Sequence, residues 1–247
     1  MIARGFLSIF GLLMLANAAV ADRITVAVAA NFLTTAQDIS AIFSAETGHD
    51  VDIVHGSTGK LFAQIMAGAP FDVFLAADTV RPARLVAAGR ATSADVKPYA
   101  TGALALVHGA GTAPGALDEI LAREDLRIAI ADPEIAPYGS AARDVLREFR
   151  GPDWQRDLVY GESIGQTFAF VATGNAGAGL VALSQALTYE GEIWVMEVSQ
   201  DLHDPIYQDA VLLARAADNP TAQAFFDFLS SEIAINILIA EGYEAPL

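Results

Sequence analysis

The chain has 247 residues, no cysteine and a formal net charge of −16 at pH 7. This length is sufficient for one large domain or for two lobes of ordinary size, stabilised by packing and not by disulfide bonds. A surface this acidic repels nucleic acid and anionic lipid, and we expect neither as a partner. It also repels free anions, so an anion site would have to work locally through oriented donors and helix dipoles. Acidity that only keeps the protein soluble explains the charge equally well.

The first 21 residues have the pattern of a secretory signal peptide. One charge, Arg4, precedes an apolar stretch from Phe6 to Leu15, and an Ala-Val-Ala motif ends at Ala21. The apolar stretch has about ten residues, fewer than the roughly twenty that span a bilayer, so a cleaved leader is favoured over a membrane anchor. We expect cleavage before Asp22 and a periplasmic mature protein, more negative by one unit, without membrane insertion.

The first part of the mature chain alternates short apolar, β-branched runs with helical patterns. The predicted elements are strand 24–28, helix 33–43 closed by Gly48, strand 51–54, a helix carrying residues 61–66, strand 73–76 and a helix around 84–88. This βαβαβ order predicts a mainly parallel sheet flanked by helices.

A second series of elements follows and predicts a second lobe. It comprises strands 103–108, 126–131, 158–160, 179–183 and 193–198, with helices at 140–149 and from Gly165. Strand 209–214 then returns to helices 222–229 and 233–240, which we expect to complete the first lobe. The sequence thus predicts an α/β fold with 22–102 plus 207–247 as lobe 1, 103–206 as lobe 2, and two hinge crossings near 101–103 and 205–209. Residues 109–115 are predicted to form a surface loop.

One motif keeps a catalytic alternative open. The segment Gly161–Gly165 matches the G-x-S-x-G nucleophile elbow where a strand meets a helix, so a serine hydrolase using Ser163 is the alternative function. The only downstream histidine is His203, crowded by Asp201 and Asp204, which leaves little room for a triad. The four histidines lack the i, i+4 spacing of metal ligands on a helix. We therefore expect no enzymatic activity and no protein-bound metal.

A strand that runs into a polar helix start recurs four times in the chain. These starts lie at Asn31, Ser57-Thr58, Tyr138 and Ser163-Ile164. The first amides of a helix lack backbone partners, but Asn, Ser and Thr are also ordinary N-caps, so any single start is more often structural. Four starts, two in each predicted lobe, favour a ring of donors at the carboxyl ends of the strands, which suits an oxyanion.

Several short segments of the mature chain match one known family. They are 24–39 (ITVAVAANFLTTAQDI), 55–61, 63–65, 67–70, 71–78 (FDVFLAAD), 131–134, 137–139, 162–164 and 225–229 (FFDFL). Over essentially the whole mature chain the sequence resembles the periplasmic molybdate-binding proteins of ABC transporters. The resemblance implies the two-lobed type II periplasmic-binding-protein fold, molybdate or tungstate as ligand, no cofactor, an ABC transporter permease as partner, and a monomer.

The family's ligand positions carry over to Asn31, Thr58, Tyr138 and the backbone N–H of Ile164, with Ser57 beside them as an assisting donor. One branch of the family has serine at the position of Asn31, tyrosine at the position of Ala182 and a small residue where Tyr138 stands. This chain resembles the other branch, in which Tyr138 supplies the phenol. The resemblance implies a metal only as part of the oxyanion.

The implied groups all donate, and none is a carboxylate. Phosphate keeps a proton near neutral pH and profits from an acceptor, whereas molybdate, tungstate and sulfate are fully deprotonated dianions. The donor set therefore favours such a dianion. Sulfate is smaller than the other two, so the choice among the three depends on cavity size and stays open at the level of the sequence.

Overall fold

The computed structural model describes residues 22–109 and 115–246. The expected signal peptide and most of the predicted loop at 109–115 lie outside these ranges. Across the described ranges, no single helix has the length and apolar character to cross a membrane, and only the bent pair Pro220–Phe228 and Glu232–Ala240 reaches that composition, with a 52° break.

The first sheet contains five strands from both ends of the described chain. Numbered in chain order, they are β1 (Arg23–Ala29), β2 (Asp50–Gly56), β3 (Val73–Leu75), β4 (Val96–Gly102) and β10 (Ile206–Leu212). They lie in the order β2-β1-β3-β10-β4. Strand β1 is parallel to β2 and β3, whereas β10 is antiparallel to β3 and β4.

The second sheet repeats this arrangement with the strands between. They are β5 (Leu104–Gly109), β6 (Ile128–Ala131), β7 (Leu158–Gly161), β8 (Ala178–Ala182) and β9 (Ile193–Glu197). Their order is β7-β6-β8-β5-β9, with β6 parallel to β7 and β8, and β5 antiparallel to β8 and β9. The two-lobed α/β fold predicted from the sequence is confirmed.

Four of the five strands in each described sheet run in one direction, which confirms the predicted mainly parallel sheets, and one strand in each runs against them. The antiparallel pairings in each sheet belong to β10 or β5, the strands that follow a crossing between the lobes. A strand that enters a sheet directly after a crossing has no helix to return the chain to the starting edge, so it runs opposite to its neighbours. The βαβ pattern of the sequence predicts the four parallel strands but not the direction of the reversed one.

The helices cover the two sheets, and several of them follow the carboxyl end of a strand. Their bounds are α1 Leu33–Thr47, α2 Thr58–Met66, α3 Val80–Ala87, α4 Leu117–Ala122, α5 Pro137–Arg150, α6 Ile164–Ala172, α7 Leu183–Leu187, α8 Pro220–Phe228 and α9 Glu232–Ala240. Helix α1 ends at Gly48, as predicted, with φ at 75°. Phe225 and Leu238 share a core with Ile24, so α8 and α9 pack against the first sheet.

Strand β1 lies in the middle of its lobe and is buried on both faces. Val26 and Val28 pack into one cluster with Phe43, whereas Ala27 between them packs into a cluster with Leu61 on the other face. Alternate side chains of a strand point to opposite faces, and a sheet covered by helices on both faces needs apolar residues at every position. This burial explains the continuous apolar run at the start of the mature chain.

Strand β4 was not predicted from the sequence. Pro98 interrupts its pattern, and proline cannot donate to the hydrogen-bond ladder of a sheet. In the structure β4 is an edge strand, and its pairing with β10 shifts register between Gln208 and Asp209, opposite Pro98. An irregular edge accommodates a proline that a central strand would exclude.

Candidate functional site

A small cavity of about 10 Å³ lies between the two lobes, where several helix starts converge. The structure brings all five sequence-predicted residues to its wall. None of these described lining residues has a charged side chain. The lining residues are Ala30, Asn31, Ser57, Thr58, Ala77, Ala136, Pro137, Tyr138 and Ile164.

Asn31 enters the cavity from the short 3-10 turn Ala30–Phe32, which joins β1 to α1. Its side chain is buried, and the amide nitrogen donates to Oε1 of Gln208 at 2.9 Å and to the hydroxyl of Tyr243 at 3.2 Å. These contacts fix the amide plane. The position of Asn31 is therefore determined by residues about 180 to 210 positions away along the chain.

Ser57 and Thr58 form the start of α2. Ser57 is the N-cap, and its hydroxyl accepts from the Lys60 amide at 3.4 Å. The Thr58 hydroxyl accepts from the Ala77 amide at 3.3 Å, which leaves its own hydrogen free to be donated. As the first residue of the helix, Thr58 also has a backbone N–H without an acceptor inside the helix. Thr58 can thus offer two donors to the cavity.

Tyr138 lies in the first turn of α5, which begins at Pro137 and not at residue 140 as the sequence pattern predicted. The phenol is 1% exposed, and its oxygen accepts a long hydrogen bond of 3.5 Å from Nε2 of Gln208. A side chain at Gly102 would overlap this oxygen, so the phenol reaches across to the end of β4. The O–H hydrogen is not used in the bond from Gln208 and is available to a ligand.

Ile164 is the first residue of α6, after the N-cap Ser163. The Ser163 hydroxyl accepts from the Gln166 amide at 3.3 Å, so this cap satisfies a later amide of the turn. The Ile164 N–H has no acceptor within the helix. Its apolar side chain is irrelevant to donation, because the backbone supplies the donor.

Three helices of nine or more residues, α2, α5 and α6, thus begin at one cavity. Each helix N-terminus carries a partial positive charge of about half a unit, and its free amides point along the axis. Neutral hydroxyl and backbone N–H donors supply the remaining polarity, since both hydrogens of the Asn31 side-chain amide already bond Gln208 and Tyr243. This arrangement can hold a small anion without a positively charged side chain.

The lobes are in contact around the cavity. Three hydrogen bonds join them at the rim: Gly59 N–H to the Ile135 carbonyl (2.9 Å), Arg81 Nη2 to the Glu134 carbonyl (3.0 Å), and Lys60 Nζ to Glu162 (2.5 Å). The Lys60 and Glu162 side chains are both exposed, so their ion pair contributes little. The structure is the closed arrangement of the two lobes.

The serine hydrolase alternative is not supported. Ser163 acts as a helix cap, and His203 uses its Nδ1 in a 2.8 Å contact with the Asp204 carbonyl. Within the described residues no hydrogen bond joins Ser163 to His203. In the same part of the chain, no group of three or more His, Asp or Glu residues could hold a metal ion.

Sequence reasoning missed the residues that support the cavity from behind. Gln208 is fully buried, and its Oε1 accepts from Asn31 and from the Tyr99 hydroxyl at 3.0 Å. A polar residue at an inward position of β10 is a signal that alternation could have revealed. Tyr243, after the last helix, had no comparable signal.

Burial raises the pKa of the Tyr99, Tyr138 and Tyr243 phenols well above the usual 10.0. The folded protein holds these protons more tightly than the unfolded chain, so the stability they contribute is full below pH 10 or so and falls above it. We expect their tyrosinate absorbance to appear only together with loss of the helical circular dichroism. Ionisation of all six tyrosines in a protein that keeps its helical signal would contradict this prediction.

Comparison with known proteins agrees with this geometry. The sequence profile described as bacterial extracellular solute-binding protein matches residues 24–244. The chain is 42% identical to the molybdate-binding protein ModA of Rhodobacter capsulatus over 234 residues, covering 93% of this chain and 91% of that protein. It is also 42% identical to ModA of Azotobacter vinelandii over 240 residues, covering 93% of each chain.

A solved structure of an Azotobacter vinelandii periplasmic molybdate-binding protein has the same fold. It matches with a TM-score of 0.84 and 34% identity, covering 91% of this chain and all of that chain. These relatives are binding proteins and not enzymes. The chain therefore belongs to the bacterial extracellular solute-binding protein family.

Proposed function

We propose that this protein captures molybdate or tungstate in the cavity between its lobes and delivers it to an ABC importer. The observation that carries the proposal is the small uncharged cavity whose wall contains Asn31, Ser57, Thr58, Tyr138 and Ile164. The names of the relatives support molybdate in particular. The ligand would be held by neutral donors and helix N-termini, with no protein side chain bound to the metal.

The chemistry of the wall supports a fully deprotonated dianion. The described lining residues include no carboxylate that could accept the proton of hydrogen phosphate. The cavity, at about 10 Å³, is also far smaller than the roughly 300 to 1,000 Å³ of pockets that hold drug-sized organic ligands. Both properties point to a small inorganic anion.

Calorimetric titration with molybdate, tungstate, sulfate and phosphate tests the proposal. We expect molybdate and tungstate to bind most tightly, sulfate more weakly because it is smaller, and phosphate most weakly because its proton finds no acceptor. A protein that binds phosphate or sulfate in preference to molybdate would contradict the proposal.

We expect binding to depend little on salt. Lys60 is paired with Glu162, and Arg143 contacts Ser140 and Asp144, so neither cation belongs to the cavity wall. Contacts from neutral donors in a closed cavity are screened far less than exposed ion pairs, so affinity should change less than about threefold between roughly 20 and 500 mM sodium chloride. A steep loss with added chloride would indicate that a charged side chain dominates.

We further propose lobe 1 as residues 22–102 plus 207–247 and lobe 2 as residues 103–206, with closure about the crossings near 101–103 and 205–209. Ligand should favour the closed arrangement. Small-angle scattering is expected to give a smaller radius of gyration with molybdate than without it. An unchanged radius at saturation would contradict ligand-driven closure.

We also propose that the protein is exported to the periplasm and interacts there with the permease of the importer. The leader would be cleaved before Asp22, which leaves a monomer in the periplasm that meets the permease with one of its acidic faces. Mass spectrometry of the mature protein from a periplasmic extract tests the cleavage site.

A further inference from the structure

The hydroxyl of Tyr243 makes three hydrogen bonds around Asn31. It donates to the Asn31 main-chain carbonyl at 2.7 Å and accepts from the Asn31 side-chain amide at 3.2 Å. It also accepts from the Ser184 hydroxyl at 2.9 Å. All three residues are buried, each with 4% of its surface exposed.

The directions of these bonds follow from the groups themselves. A carbonyl can only accept, so the single hydrogen of the Tyr243 hydroxyl goes to the Asn31 carbonyl. The two lone pairs then accept the Ser184 hydroxyl and the Asn31 amide. Every donor and acceptor of the Tyr243 hydroxyl is used, and Asn31 is held by its main chain and its side chain at once.

The three residues belong to different parts of the fold. Tyr243 follows α9 in the first lobe, where Thr101 and Glu244 form a two-way backbone bridge that anchors the segment to β4. Its ring packs edge to face on Phe32, with centroids 5.1 Å apart. Ser184 lies in α7, beside β8 of the second lobe. The bond between Ser184 and Tyr243 therefore crosses between the lobes directly behind Asn31.

We infer that Tyr243 is a positioning residue for the anion site: it fixes Asn31 and, through Ser184, ties the position of Asn31 to closure of the lobes. The inference rests on the proposed function. If the lobes separate, Ser184 leaves Tyr243, and the buried bond is replaced by bonds to water. Because this interlobe bond is buried and fully satisfied, it stabilises the closed form more than the exposed Lys60–Glu162 pair does. Closure held in this way slows the release of ligand.

The substitution Tyr243→Phe tests the inference. It keeps the ring against Phe32 and removes the hydroxyl that bonds Asn31 and Ser184. We expect affinity for molybdate to fall about 5- to 50-fold, mainly through faster release, with the association rate within about threefold of the parent. Titration calorimetry gives the affinity, and release of radiolabelled molybdate into excess unlabelled molybdate gives the dissociation rate.

Two further variants separate positioning from general destabilisation. Ser184→Ala should speed release by about two- to tenfold. Because the Ser184 hydroxyl also lies 3.3 Å from the Asn31 carbonyl, adding Ser184→Ala to Tyr243→Phe should cause a small further loss, less than Ser184→Ala causes alone. Tyr189→Phe changes an exposed tyrosine and should release molybdate at the parent rate. The variants are compared at a temperature at which all are folded.

These measurements distinguish a positioning role of Tyr243 from a purely structural role and from failure of the proposed function. A Tyr243→Phe protein that melts at a lower temperature but releases molybdate at the parent rate would show that Tyr243 is only structural, and the inference would be overturned. A parent protein that binds none of molybdate, tungstate and sulfate would overturn the proposed function and this inference with it. Faster release in both Tyr243→Phe and Ser184→Ala, with the Tyr189→Phe control unchanged, supports the inference.

Discussion

Replacing Tyr138 by phenylalanine is expected to weaken molybdate binding about ten- to 150-fold. The change keeps the ring, which is 1% exposed, and removes one charge-assisted hydrogen bond to the anion. Such a bond contributes about 1.5 to 3 kcal/mol, which converts to that range of affinity. Titration calorimetry on both proteins measures the loss.

The geometry argues against a purely packing role for this phenol. Its oxygen is buried beside Gly102 and accepts from Gln208, so the remaining O–H hydrogen has no route to bulk water. A hydroxyl that lines an anion cavity and has an unused hydrogen can donate that hydrogen to a bound anion. If Tyr138→Phe binds molybdate within about twofold of the parent, the phenol is not a ligand.

Two controls accompany this prediction. Tyr207→Phe removes a hydroxyl from an exposed tyrosine, 46% of whose surface is accessible, and should leave affinity within about twofold. Ala182→Tyr in the Tyr138→Phe background tests whether a tyrosine at position 182, as in the other family branch, can replace the lost donor. Ala182 is fully buried and is not part of the cavity wall, so we expect overpacking and no rescue.

The cavity wall could be predicted from the sequence because each part of it is local. A polar or small residue between an apolar strand and a helix identifies a helix start, and the free amides there follow from helix geometry alone. Asn31, Thr58 and Ile164 are of this kind. Tyr138 is too, although the sequence pattern predicts a helix from residue 140 and the helix begins at Pro137, a residue favoured at the first helical position.

The residues that hold the cavity wall in place, Gln208 and Tyr243, could not be predicted, because their roles depend on contacts between distant positions. Gln208 meets Asn31 across 177 positions, and Tyr243 meets it across 212. No local sequence pattern around Gln208 or Tyr243 indicates that the residue contacts Asn31. The reversed direction of β5 and β10, and the presence of strand β4, could not be predicted for the same reason: they result from the crossings between the lobes, whereas periodicity reports only on a single element.

Two glycines in the first turns of cavity helices differ in the space around them. A Cβ on Gly139, in α5, would overlap the backbone carbonyl oxygen of Ala131 and lie 2.7 Å from its carbonyl carbon. A Cβ on Gly165, in α6, would have its nearest neighbour, the Ala30 Cβ, at an ordinary 3.7 Å. Since backbone atoms at the end of β6 cannot turn aside, Gly139→Ala must move α5.

We therefore expect Gly139→Ala to lower the free energy of unfolding by about 3 kcal/mol or more and to reduce molybdate binding severely, because Tyr138 moves with the helix. Gly165→Ala should stabilise by up to about 1 kcal/mol, since alanine favours a helix over glycine, with affinity little changed. Urea unfolding and calorimetry on both variants measure the contrast. Parent-like stability and affinity in Gly139→Ala would mean that α5 is not pressed against β6, and the position of Tyr138 in the cavity would then need another explanation.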